Sequence, residues 1–130
     1  MGKRGPTRTQ LRRLDPASLA AAAWTLLALR RVRRDLRADG LAGARVFPPP
    51  RLPRRGRAGV LAVLRRRPST CLERALVLQR WEASHGAPSD VVIGMDGPGD
   101  RFSAHAWLES LPDGPVAAYR ETLRIPAPAE

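Results

Sequence analysis

Cysteine is almost absent: Cys71 is the only one in 130 residues. A single thiol excludes an internal disulfide framework and any metal site built from several thiolates, and it suits a reducing compartment, so a cytoplasmic protein is expected. Histidine is nearly as scarce. His85 and His105 stand at no ligand-like spacing from each other or from Cys71, so neither a metal nor a cofactor is expected. Aromatic residues make up 5% of the chain, which leaves little to stack on bases, and nucleic acid is not an expected partner. Long apolar runs are missing as well. The Ala/Leu-rich stretch at residues 19–29 reaches roughly half of the about 20 residues that a membrane span requires before arginines interrupt it. Residues 1–12 are basic and polar, without the apolar centre of a secretory signal.

What the chain does have is a strongly basic half. Residues 1–67 hold 18 of the 23 Lys and Arg against Asp15, Asp35 and Asp39, a net of +15, whereas residues 68–130 hold five against nine acids, a net of −4. Such an arm suits an acidic partner or an acidic membrane surface. Lys3 is the only lysine, and an Arg-rich, Lys-poor composition is also what a GC-rich genome produces.

The length allows one domain with a modest core. Residues 1–12 read as a disordered basic tail and residues 13–40 as an N-terminal helix. Asp15-Pro16 supplies its N-cap and first-turn proline, the helix runs over about residues 16–37, and Gly40 is its stop. It reads as a core-packing helix with a solvated basic end. Residues 41–57 form a Pro/Arg-rich extended connector around Phe47-Pro48-Pro49-Pro50, which can be neither helix nor central strand. Residues 58–126 carry the rest of the fold, and residues 127–130 are a tail. Within them residues 58–66 are a short amphipathic helix, and a second helix from Cys71 ends at His85-Gly86 with Gly86 as a left-handed cap. Val91-Val92-Ile93-Gly94-Met95 and residues 102–109 are strands joined by an Asp96-Gly97-Pro98-Gly99-Asp100 turn. Residues 116–125, with Val116, Tyr119, Leu123 and Ile125, are a return strand or short helix expected to close the core.

Two local contexts carry chemistry. Thr70-Cys71-Leu72-Glu73 reads as a capping box after the stop at Arg67-Pro68, which makes Cys71 the first helical residue. Unpaired N–H groups and the macrodipole there favour the thiolate, the nucleophilic form. In the alternating run Phe102-Ser103-Ala104-His105-Ala106-Trp107-Leu108-Glu109, His105 shares a face with Ser103, Trp107 and Glu109 and is held on a strand. A helix-start thiol facing a strand-borne imidazole is the arrangement that cysteine acyl transfer needs. The plainer alternative is a small buried cysteine and a partly exposed polar histidine.

Three ordered motifs, Ser69-Thr70-Cys71-Leu72-Glu73-Arg74-Ala75-Leu76-Val77-Leu78-Gln79-Arg80, then Val91-Val92-Ile93-Gly94, then residues 102–109, resemble the transglutaminase-like B2 proteins of lasso peptide biosynthesis, over about residues 52–125. The resemblance implies a small α+β, papain/transglutaminase-like cysteine protease fold, here with an N-terminal helical arm. It also implies removal of a leader from a ribosomally made precursor peptide, after which a separate macrolactam synthetase closes the ring. With no residues left for a winged-helix leader-recognition domain, a separate leader-binding protein is the expected partner.

Carried over by position, Cys71 matches the nucleophile and His105 the general base and acid. The third member departs from the pattern: the family's aspartate would fall at Val116-Ala117-Ala118. Asp113 is the nearest carboxylate and is taken as the orienting residue, although an Asp-Gly turn explains it equally. Glu109 lies four residues along the same strand, roughly 13 Å away, too far to bond the ring. The Cys71 backbone N–H is the expected oxyanion donor. Gln79 and Arg80 read as structural, and Trp107 as a shield or a sheet-packing aromatic. A non-catalytic scaffold that keeps this fold is the alternative function, and acyl transfer to an amine is a third.

Overall fold

The computed structural model describes residues 15–96, 103–112 and 119–128. Helix α1 (Pro16–Asp39) begins where the sequence marks it: Asp15 accepts the Ser18 N–H at 2.7 Å and proline takes the first turn, where no N–H is needed. It ends at Gly40, φ 69°, whose N–H bonds Leu36 O at 3.0 Å. Its buried stripe, Ala17, Ala21, Trp24, Ala28, Leu29 and Val32, follows the helical period. No described helix is long and apolar enough to cross a membrane.

That stripe makes α1 part of the core, in accord with the core-packing reading of the sequence. Trp24, Ala28 and Leu29 pack with Val60, Val63 and Leu64 of α2 (Arg57–Arg66) and with Val77 and Trp81 of α3 (Cys71–Ser84). The two helices α1 and α2 approach closely at Gly59, where an added Cβ would come within 2.0 Å of the Ser18 carbonyl oxygen. The connector between them is pinned rather than loose. Trp24 Nε1 donates to Phe47 O at 3.2 Å, and the Phe47 ring meets the indole edge-on. Two short 3-10 turns, Leu41–Gly43 and Arg54–Gly56, interrupt its extended path. His85 clamps its far end, with ring nitrogens 2.8 Å from Trp81 O and 2.9 Å from Leu52 O and the ring stacked on Trp81. Gly86, φ 77°, follows as the left-handed residue expected there.

A second cluster unites Val32 of α1 and Ala75 and Leu76 of α3 with Val91, Ala106 and Leu108 of the sheet. The sheet is antiparallel with order β2-β1-β3, formed by β1 (Val91–Asp96), β2 (Ser103–Leu108) and β3 (Arg120–Ile125). The described residues therefore make an α+β fold of three helices and a three-stranded sheet. The β1–β2 pairing matches the hairpin read from the sequence; its expected turn at residues 97–100 lies outside the described residues.

The last strand departs from expectation. β3 pairs with β1 at the far edge, and Arg120 through Arg124 are exposed, Leu123 at 47%. Only Ile125 of this strand packs on the core. Helix α3 packs on β2 and β1, so a strand beyond β1 is left mostly in solvent. Val116 lies outside the described residues.

Candidate active site

The approach to α3 sets the thiol in place. Thr70, with extended backbone (φ −76°, ψ 160°), accepts the Glu73 N–H on Oγ1 at 3.1 Å, and Glu73 Oε1 accepts the Thr70 N–H at 3.0 Å. Both halves of the capping box are thus made. Arg74 makes the first i→i−4 bond, to Thr70 O at 3.0 Å. Helix geometry therefore leaves over the N–H groups of Cys71 and Leu72, a local positive end suited to an anion.

Glu73 is buried and held from a second side. Arg33 Nε donates to Oε2 at 3.2 Å and its Nη2 to Oε1 at 3.3 Å, while Nη2 also donates to Pro68 O at 2.7 Å. Burial pushes the carboxyl upward, but the Arg33 and Thr70 hydrogen bonds and the charges of Arg33 and Arg37 outweigh it, so Glu73 titrates below its ordinary value.

Cys71 is half-buried, and its Sγ accepts the Ala106 N–H at 3.4 Å. That nitrogen belongs to the peptide joining His105 to Ala106. The two residues singled out from sequence, 34 positions apart, are thus brought to one peptide link. The bond also fixes orientation: β2 is an edge strand, so the Ala106 N–H points off the sheet toward α3.

The His105 side chain belongs to the other face of β2 from Ala106. Its ring stacks on Trp107, centroids 5.7 Å apart at 23°, and meets Tyr119 at 5.3 Å and 39°. Gly94, directly across from His105 on β1, makes room for this cluster: a Cβ there would lie 2.8 Å from Tyr119 Cβ and 2.9 Å from the Trp107 ring. The sequence reading placed Trp107 on the His105 face. It gave Tyr119 only as a core candidate, because β3 register is not legible without the bulge between Ile93 and Gly94.

Asp113 lies outside the described residues. Glu109 is exposed and paired with Arg124, which also holds Asp90 at 3.2 Å and Glu121 at 2.7 Å. The Arg124 bonds hold Glu121 below the ordinary carboxylate range, and the surrounding carboxylates push Arg124 further up. Glu121 is the residue the sequence reading did not single out: it faces Gly94 on β3 as His105 faces Gly94 on β2, so His105, Gly94 and Glu121 form one row across the sheet. Side chains in one row share a face, and strands two apart are about 9.6 Å apart.

Gln79 is structural, as expected, with Nε2 donating to Ser89 O at 3.1 Å and Ile125 O at 3.0 Å. Arg80 is on the same helix, and its buried Nε has no hydrogen-bond partner among the described residues. No described cluster of three or more His, Cys, Asp or Glu has the makings of a metal site.

Neither a curated protein nor a solved structure matches the chain. The model of the transglutaminase-like superfamily matches residues 6–124, a span that takes in α1 as well as the region from 52 onward on which the sequence resemblance rests. With nearly its whole length matched, the chain belongs to the transglutaminase-like superfamily.

Proposed function

We propose that the protein is a cysteine peptidase that removes the leader from a ribosomally made lasso peptide precursor and works with a separate leader-binding protein. The observation that carries the reading is the 3.4 Å contact of Cys71 Sγ with the His105–Ala106 peptide at the start of a capped helix. Superfamily membership and the three motifs over residues 52–125 support it.

In this reading the Cys71 thiolate attacks the scissile carbonyl carbon, forming a C–S bond as His105 holds the thiol proton. The leftover N–H of Cys71 donates to the oxygen that gains charge. The C–N bond then breaks, and His105 passes its proton to the leaving amine. Water, deprotonated by His105, attacks the thioester; the carboxylic acid departs and the thiol is restored. Asp113 is the orienting residue proposed for His105, and Glu121, in the same row of the sheet, is the next carboxylate to test.

The test is incubation of the purified chain with a lasso precursor, with and without a leader-binding protein, followed by mass spectrometry. Hydrolysis at one bond that separates leader from core, at least tenfold faster with the partner present, is the expected result. Intact precursor under both conditions would leave the chain as a scaffold of the same fold.

A further inference from the structure

Helix α1 buries one stripe in the core, yet it also presents an apolar ridge to solvent. Leu27 is 56% exposed. On one side of it Ala23, Leu26, Leu27, Arg30, Arg33, Arg67 and Pro68 line a groove of about 360 Å3. On the other side Leu27, Arg30, Arg31, Arg34 and Phe47 line a second of about 380 Å3. An exposed leucine between two grooves rimmed by four different helix arginines and by Arg67 is unlike a solvated basic face, where apolar residues are scattered singly.

The rim is cationic and open. Among the described residues, Arg33 is the one groove arginine in an ion pair, with Glu73; none of Arg30, Arg31, Arg34 and Arg67 has one. The chain's own first 14 residues carry five basic groups and no acid, so their charge does not complement it. Its complement is a segment that carries both carboxylates and an apolar side chain.

The first groove also sits beside the thiol. Pro68 is its wall, and Pro68 and Cys71 are three positions apart in the chain, so their Cα atoms are at most about 11 Å apart. Along α1 the line from Ala23 to Arg33 is about 15 Å long, the length of four to five extended residues. Arg33, bonded to Pro68 O and Glu73, locks this groove to the cap that positions Cys71.

We propose that the Leu27/Arg30/Arg67 groove binds an acidic, apolar-anchored segment of the peptide substrate, a few residues to one side of the scissile bond. The proposal rests on the peptidase reading for the identity of its occupant. A leucine or similar side chain fills the space between Leu26, Leu27 and Pro68, and flanking Glu or Asp residues meet Arg30 and Arg67.

Binding is measured by fluorescence anisotropy on the full chain carrying Cys71→Ala, which holds peptide without turnover. The probes are a labelled ten-residue peptide centred on Glu-Leu-Leu-Glu and its Lys-Leu-Leu-Lys counterpart. The Glu probe is expected to bind more tightly than the Lys probe and to weaken as salt rises past physiological strength. Arg30→Glu/Arg67→Glu is expected to weaken the Glu probe about tenfold and to invert the preference, and Leu27→Asp to weaken it without inversion. All three positions are exposed, and circular dichroism verifies the fold. Equal affinity for both probes, an unchanged Glu probe in the double reversal, or displacement of the Glu probe by anionic phospholipid vesicles would overturn the proposal. Charge inversion in the binding assay together with intact precursor in the cleavage assay would sustain the groove while sinking the peptidase reading.

Discussion

Arg33 and Glu73 are forty residues apart in the chain and joined by two hydrogen bonds, at 3.2 and 3.3 Å. The carboxylate that caps the cysteine helix is thus held by the N-terminal helix, and the position of the thiol depends on both. Because Glu73 titrates below its ordinary value of 4.5 in the folded chain, it contributes stability that is fully present above that value and lost as pH falls through the lowered one. Chemical denaturation should show stability declining on acidification below about pH 4.5. Glu73→Gln should lower stability at pH 7 by roughly 2 kcal/mol and flatten the acid limb. An acid limb identical to that of the parent would show that other carboxylates account for it.

The nucleophile assignment makes a chemical prediction. Cys71→Ala should fold as the parent does, by circular dichroism and thermal midpoint, yet cleave precursor at least 10³-fold more slowly. The parent should be alkylated at Cys71 by iodoacetamide faster than free cysteine near neutral pH. Equal alkylation rates would argue for an ordinary thiol.

His105 and its partner separate by rate. His105→Ala should abolish turnover, and Asp113→Asn should lower kcat by a factor on the order of 10² to 10⁴. If Asp113→Asn keeps full activity, Asp113 is a turn residue, and the same loss is expected of Glu121→Gln, with the pH profile of kcat displaced. Loss of activity in Glu121→Gln with an unchanged pH profile would mark a structural role instead.

Close approach of α1 and α2 sets another test. With Ser18 O only 2.0 Å from where a Cβ would stand, Gly59→Ala must force the helices apart and should cost about 1–3 kcal/mol in thermal or urea unfolding. Gly40→Ala, at φ 69° and ψ −163° with open space around it, should cost about 1–3 kcal/mol from backbone strain alone. A Gly59→Ala variant as stable as the parent would mean that the crossing is looser than described.

Local chemistry made much of the fold legible. Asp15-Pro16, Thr70/Glu73, Gly40 and Gly86 each mark a helix end through a hydrogen bond or a backbone conformation that involves only near neighbours, and all four do so in the structure. The pairing of β1 and β2 was legible from the apolar pattern of its strands, alternating along β2. The row of His105, Gly94 and Glu121 was not, because the bulge that slides β3 past Ile93 and Gly94 leaves no period in the sequence. Nor was the grip of Arg33 on Glu73. Nothing local distinguishes Arg33 from Arg30, Arg31 and Arg34; its partner is chosen by how two helices cross.

The bond from the Ala106 N–H to the thiol has a consequence for solubility. A three-stranded sheet has two open edges, each a template on which a second chain can add a strand. Along β3 the exposed Arg120, Glu121 and Arg124 make that pairing unfavourable. Along β2 the deterrent is α3 itself: Cys71 occupies the Ala106 donor that an incoming strand would need. The nucleophile proposed above therefore also covers a donor on this edge of the sheet against strand addition by a neighbouring copy.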